Sequence, residues 1–245
     1  MGIWNGISEL SGTIWATLIG AVAGSVTGGI INLLIQSNSV RIARVERLAT
    51  KRQENLATAF SVMVKIIKML SRISDIKAEI ANGQAALESK RKETPDAEFW
   101  QVLLPFGTQS RQVEFTNTEC ALILSTKNPD LMLAAIELCD IYNDLIDLIS
   151  LYSDRREALT ASFNIEELDG SYGSSYLDEE QKNQLMPRII QLRSLTKAMV
   201  DRIYIDYDQA EQVFGHFKNY CSKQFDGDFP SFEIDAEKFG PATAP

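Results

Sequence analysis

Between Ile14 and Ile35 the chain holds 22 consecutive residues without a charge. At about 1.5 Å per residue a helix of that length crosses a hydrocarbon core roughly 30 Å thick. The pattern therefore predicts a single transmembrane helix over 14–36. After a short polar break at residues 36–39 the apolar positions fall three and four apart, at Leu56, Phe60, Met63, Ile67, Leu70, Ile73 and Ile76. This is close to the 3.5-residue period of a coiled-coil or bundle seam. It predicts one long, proline-free helix to about residue 90, with the seam fading after Ile80. Residues 41–55 are polar enough to stand in solvent or at a lipid surface as a stalk.

Further along, local signals punctuate the pattern. Residues 89–98 read as a loop, and residues 99–107 as a short apolar piece broken by Pro105, too short for a second span. Thr116 followed by Glu119 matches a capping box and predicts a short helix to about Ser125. Asn128, Pro129 and Asp130 make a helix start. Asn caps, Pro takes a position that needs no amide donor, and Asp complements the positive helix end. Leu131, Ala135, Leu138, Ile141, Leu145, Leu148 and Tyr152 give the new helix an apolar face to about residue 160. The serine- and glycine-bearing stretch 168–177 reads as a loop, and Asp178 with Gln181 as another start. Pro187 is expected to kink or restart that helix, whose apolar face runs through Ile189, Leu192, Met199, Ile203, Tyr207, Ala210, Phe214 and Phe217 to about Cys221. The last twenty residues read as a tail docked by Phe229 or Phe232.

No alternating strand pattern competes with these helices. The expected fold class is all-α, with an N-terminal single transmembrane helix followed by a long helix and a cytosolic helical bundle. The expected division is an extracytoplasmic segment (1–13), the span (14–36), a basic stalk and long coiled-coil-like helix (37–95), an acidic helical bundle (96–224) and a C-terminal tail (225–245).

Within the span, glycines recur at Gly20, Gly24 and Gly28. Residues four apart share one ridge of a helix, so Ala16, Gly20, Gly24, Gly28 and Asn32 form a nearly flat face that lets two backbones approach closely. Asn32 is placed to hydrogen-bond across such an interface. This is the expected site of self-association. Trp15, at the start of the run, fits an anchor at the headgroup boundary. A cleaved export signal is disfavoured. "AVAG" at residues 21–24 offers a small-x-small site, but no basic segment precedes it and the apolar run continues well past it.

Charge sets the orientation. Residues 1–36 contain one charged residue, Glu9; residues 37–95 carry 12 Lys and Arg against 6 Asp and Glu; residues 96–245 carry 12 against 26. Arg41, Arg44, Arg47, Lys51 and Arg52 follow the span and no Lys or Arg precedes it, so the positive-inside bias puts the N-terminus outside and the remainder in the cytoplasm. The same cations suit anionic headgroups, making the lipid bilayer an expected partner. The net charge of −9 argues against a nucleic-acid partner.

Candidate chemistry is sparse. His216 is the only histidine, and Cys120, Cys139 and Cys221 are widely spaced, so no catalytic triad, histidine metal site or disulfide framework is expected. No cofactor is expected either. Two charge rows remain: the basic Lys65, Lys68 and Arg72, and the acidic Glu137, Asp140, Asp144 and Asp147, which are expected to be solvated or to meet within or between subunits. The leading expectation is a single-pass, membrane-anchored interaction or scaffold protein, homo-oligomeric through the small-residue face, whose bundle binds itself or a protein partner. A second is an oligomer that permeabilises the membrane, as a toxin-like or phage-defence effector does. A third, an enzyme of unfamiliar type, requires a cleft holding side chains such as Tyr204, Asp206 and Tyr207.

Overall fold

The computed structural model describes residues 4–107, 111–162, 167–169, 172–174 and 179–232; for residues 4–31, 33, 34, 167–169, 172–174 and 182 it describes the backbone alone. The described elements are α1 (Trp4–Glu93), α2 (Phe99–Val102), α3 (Asn117–Ser125), α4 (Pro129–Thr160), β1 (Glu167–Asp169), β2 (Tyr172–Ser174) and α5 (Glu179–Phe225). The described residues are all-α apart from one small antiparallel hairpin, in which Glu167 faces Ser174 and Asp169 faces Tyr172. The hairpin corrects the expected loop, because three-residue strands are too short to show alternation.

Two compact units divide the chain, Met1–Asn55 and Leu56–Pro245. In the first, α1 runs through residues 36–39, where a break was expected. Gln, Ser and Asn lower helix propensity by only a few tenths of a kcal/mol each, and no Gly or Pro stands there to stop the helix. Among the described residues no helix is long and apolar enough to cross a membrane. Most side chains of the uncharged run 14–35, including those of Trp15, Ala16, Gly20, Gly24 and Gly28, lie outside that set.

The second unit holds the core. Ala59, Val62, Met63, Ile66, Met69, Leu70, Ile73, Ile76 and Ile80 of α1 are buried against Leu131, Ala135, Leu138, Leu145 and Tyr152 of α4 and against Leu192, Met199, Ile203, Ala210 and Phe217 of α5. The buried face of α1 is thus wider than the expected seam. Ala59, Val62 and Ile66 take inner positions, whereas Phe60 is 46% exposed and Ile67 is only half-buried. A helix surrounded by several others buries a broad arc rather than a two-position stripe. The apolar face also persists past Ile80, since Leu87 packs with Ala97 and Val102. At Gly83 a Cβ would stand 3.0 Å from the Phe99 ring and 3.2 Å from Leu103, so the missing side chain lets the α2 segment seat on α1.

Of the three expected helix starts, those at Thr116 and Asn128 are present, and Asp178 of the third lies outside the described residues. The Thr116 hydroxyl accepts from the Glu119 amide at 3.3 Å while the Glu119 carboxylate accepts from the Thr116 amide at 2.7 Å. Asn128 accepts from the amides of Asp130 and Leu131. α5 continues through Pro187 without a restart. It ends at Phe225, where Asp226 and Gly227 adopt positive φ and turn the chain back. Phe229 then stacks on Phe225 with ring centroids 6.0 Å apart, and Phe232 meets Phe60 at 5.8 Å. The tail is docked as expected as far as Phe232, and residues 233–245 lie outside the described set.

Candidate functional site

In the first unit every residue from 35 to 54 is exposed, together with Asn32. Helical geometry, at 100° per residue, gathers Arg41, Arg44, Arg47 and Lys51 on one side of α1, with Arg52 beside them. All five cations are exposed, and exposed Lys and Arg beside a bilayer are attracted to anionic headgroups. Ile35, Ile42, Val45 and Leu48 are also 52–61% exposed. Ile35, Ile42 and Val45 fall on the side of the helix away from Arg44 and Arg47, whereas Val40, 63% exposed, falls among the cations.

Polar chemistry in the second unit serves packing. Glu119 is buried at the start of α3, where Lys65 donates to it at 2.6 Å and Ser61 at 2.7 Å; Lys65 also donates to the Glu114 carbonyl at 2.8 Å. Burial opposes the Glu119 charge, but the hydrogen bonds from Lys65, Ser61 and Thr116 prevail and hold its pKa below the ordinary carboxylate value. A second anchor is Glu98, which takes a bidentate contact from Arg193 and a 2.7 Å bond from the Trp100 indole. The Arg193 bonds lower its pKa against some desolvation. Tyr152 donates to the Leu103 carbonyl at 2.5 Å, Arg156 donates to the Trp100 and Gln101 carbonyls, and Asn143 bonds both backbone groups of Val113. These side chains fasten α2 and residues 103 and 113 to α4, satisfying backbone carbonyls and an amide that no neighbouring helix turn reaches.

The charge rows take different places. Lys65 is engaged by Glu119, Lys68 is exposed, and Arg72 lies near enough to Glu79 to act on its charge. On α4, Glu137, Asp140, Asp144 and Asp147 are all exposed; Gln209 donates to Glu137 at 3.3 Å and Gln112 to Asp147 at 3.4 Å. The pairing of Lys65 with Glu119 was missed because 54 residues separate them, although the capping box had already marked Glu119.

Two clefts border α5. The larger, about 870 Å³, is lined by residues that include Asn128, Asp130, Gln209, Gln212, His216 and Lys223. The smaller, about 440 Å³, includes Gln84, Glu98, Trp100, Arg193 and Asp201. Neither is lined by Tyr204, Asp206 or Tyr207. The Lys77 ammonium sits 3.6 Å from the Tyr207 ring centroid and 5.5 Å from that of Tyr204. Asp206 accepts from Arg202 at 2.9 Å, and burial raises its pKa against the pull of Arg202. His216 is exposed on the larger cleft. Cys139 and Cys221 are buried thiols whose pKa values burial pushes up to about 11 and about 12, which leaves them protonated and poorly nucleophilic. Among the described residues no group of three His, Cys, Asp or Glu side chains is placed to hold a metal ion.

No protein-family model matches the chain, and neither a curated protein nor a solved structure shows significant similarity to it.

Proposed function

We propose that this chain is a single-pass membrane-anchored interaction protein whose span, residues 14–36, self-associates through Ala16, Gly20, Gly24, Gly28 and Asn32. Its N-terminus lies outside and its helical bundle in the cytoplasm, available to a second copy or a protein partner. The observation that carries the reading is the uncharged run of 22 residues with three glycines in one register, followed by five cations and preceded by none. The continuous α1 backbone and the exposure of Arg41, Arg44, Arg47, Lys51 and Arg52 support it. Trp15 anchors the outer boundary. The structural employment of Lys77, Arg202 and Asp206 gives the enzyme reading no support, and catalysis is not part of the proposal.

Fractionation of cells expressing the full chain tests it. The chain should stay with membranes through high salt and alkaline carbonate, leave with detergent, and size as an oligomer in micelles. Gly24→Leu should convert that oligomer to monomer while leaving the chain in the membrane. A chain freely soluble without detergent overturns the anchor, and a C-terminal reporter active outside the cell overturns the orientation. The wet-capable residues Thr17, Ser25, Thr27 and Asn32 favour a second reading in which the oligomer opens a pore. Under that reading, expression of the native chain collapses the membrane potential and Gly24→Leu does not.

A further inference from the structure

We propose that residues 35–52 of α1 form a parallel, in-register coiled coil with the same segment of a second copy of this chain. Counted in sevens, Ile35, Ile42 and Ala49 occupy one seam position of a heptad repeat, and Asn38, Val45 and Arg52 the other. On a helix these positions make a single stripe. Every residue of that stripe is exposed, with Ile35, Ile42 and Val45 at 59%, 52% and 61%.

Charge complementarity identifies the occupant. Arg41 falls just before the seam residue Ile42 and Glu46 just after Val45, the two places that flank a coiled-coil seam. In a parallel pair a residue in the first of these places faces, on the other helix, the residue five positions further on. Arg41 of one copy therefore meets Glu46 of the other, and two-fold symmetry makes the contact twice. In an antiparallel pair with Ile35 opposite Arg52, Arg41 is flanked by Leu48 and Glu46 by Ser39, so the Arg41–Glu46 contact is lost. Arg44, Arg47 and Lys51 fall on the far side of the helix, so two copies can meet without opposing those three cations. A copy of this chain thus supplies the matching charge and the apolar seam residues Ile35, Ile42, Val45 and Ala49, while the polar seam residues Asn38 and Arg52 meet their own copies.

The segment is about 27 Å long at 1.5 Å per residue, and a coil of two and a half heptads is marginal alone. The inference therefore rests on the proposed association of the span, which raises the effective concentration of the second stalk.

Cysteine cross-linking of the full chain in detergent or native membranes tests it, with the native chain as baseline. Ile42→Cys and Val45→Cys should give cross-linked dimers in at least tenfold higher yield than Arg44→Cys and Arg47→Cys. Glu46→Arg should lower the Ile42→Cys yield severalfold, and Arg41→Glu with Glu46→Arg should restore it. These sites are exposed in the first unit, and an unchanged unfolding midpoint of the second unit verifies that each variant folds. Equal yields around the helix, or no rescue by the charge swap, overturn the coil. So does efficient linking of Ile35→Cys to Arg52→Cys, which reports an antiparallel pair. If the chain sizes as an oligomer yet shows no seam periodicity, the coil fails and the span association stands; if it sizes as a monomer, both fail.

Discussion

Glu119 joins α1 to the start of α3 through one carboxylate, which accepts from Ser61 and Lys65 of α1 and from the amide of the cap residue Thr116. Replacing it by Gln keeps the shape but removes the charge, leaving Lys65 with the Glu114 carbonyl and partial solvent access. Breaking a buried pair from one side costs about 3–5 kcal/mol, and the solvent access of Lys65, whose side chain is 26% exposed, reduces that here to roughly 2–3 kcal/mol. Urea unfolding of the native chain and Glu119→Gln measures the difference. The pH dependence follows from the same contacts. Because the folded pKa of Glu119 is depressed, its contribution is complete above the ordinary value of 4.5 and is lost as pH falls through the lower folded value. Glu119→Gln should flatten that acid limb. Asp206 acts in the opposite sense: burial raises its pKa, so its contribution weakens as pH rises from the ordinary 3.8 through the raised value.

At the scale of elements, two positions in the second unit test how helices are shaped and seated. Gly83 leaves room for the Phe99 ring at 3.0 Å. Gly83→Leu forces that ring and Leu103 away and should destabilise the fold by about 1–3 kcal/mol, read as a lower thermal midpoint. Pro187 lies inside α5 without an amide to offer the Asn183 carbonyl. Pro187→Ala should stabilise by about 1 kcal/mol and slow amide exchange around residues 183–187; an unchanged exchange rate would refute the missing-bond explanation. Elements set by neighbours in sequence were legible beforehand. The Thr116–Glu119 box and the Asn128-Pro129-Asp130 start need only three or four adjacent residues to satisfy orphan amides. Partners distant in sequence were not legible: Arg193 reaches Glu98 across 95 residues, and no local pattern pairs them. The core of α1 was half legible. Periodicity locates an apolar face but not its width, so Phe60 and Ile67 were set too deep and Ala59 and Ile66 were missed. For the candidate site, spacing revealed the cations at 41–52, whereas the exposure of Ile35, Ile42 and Val45 depends on what covers them and required the fold.

At the scale of the whole molecule, the division at Asn55 and Leu56 separates two kinds of helix surface along α1. Residues 35–54 are exposed throughout, whereas from Ala59 onward the helix contributes to a core that includes Leu138, Leu145, Tyr152, Ile203 and Phe217. Every residue of that core lies within Leu56–Pro245, and so do the Lys65–Glu119 and Glu98–Arg193 pairs that tie its elements together. Residues 56–245 carry 19 Lys and Arg against 30 Asp and Glu, a net charge of −11 that opposes aggregation. A chain cut to 56–245 should therefore express without detergent, size as a monomer, show a helical circular dichroism spectrum and unfold in one cooperative step. Its stability should lie within about 0.5 kcal/mol of that unit in the full chain, because the core cluster and both ion pairs belong to the fragment. Full-length protein should require detergent, because the uncharged run at 14–35 lies entirely in what the cut removes. Aggregation of the fragment, or a broad unfolding transition, would mean that residues 1–55 help to complete the bundle rather than to hold and assemble it.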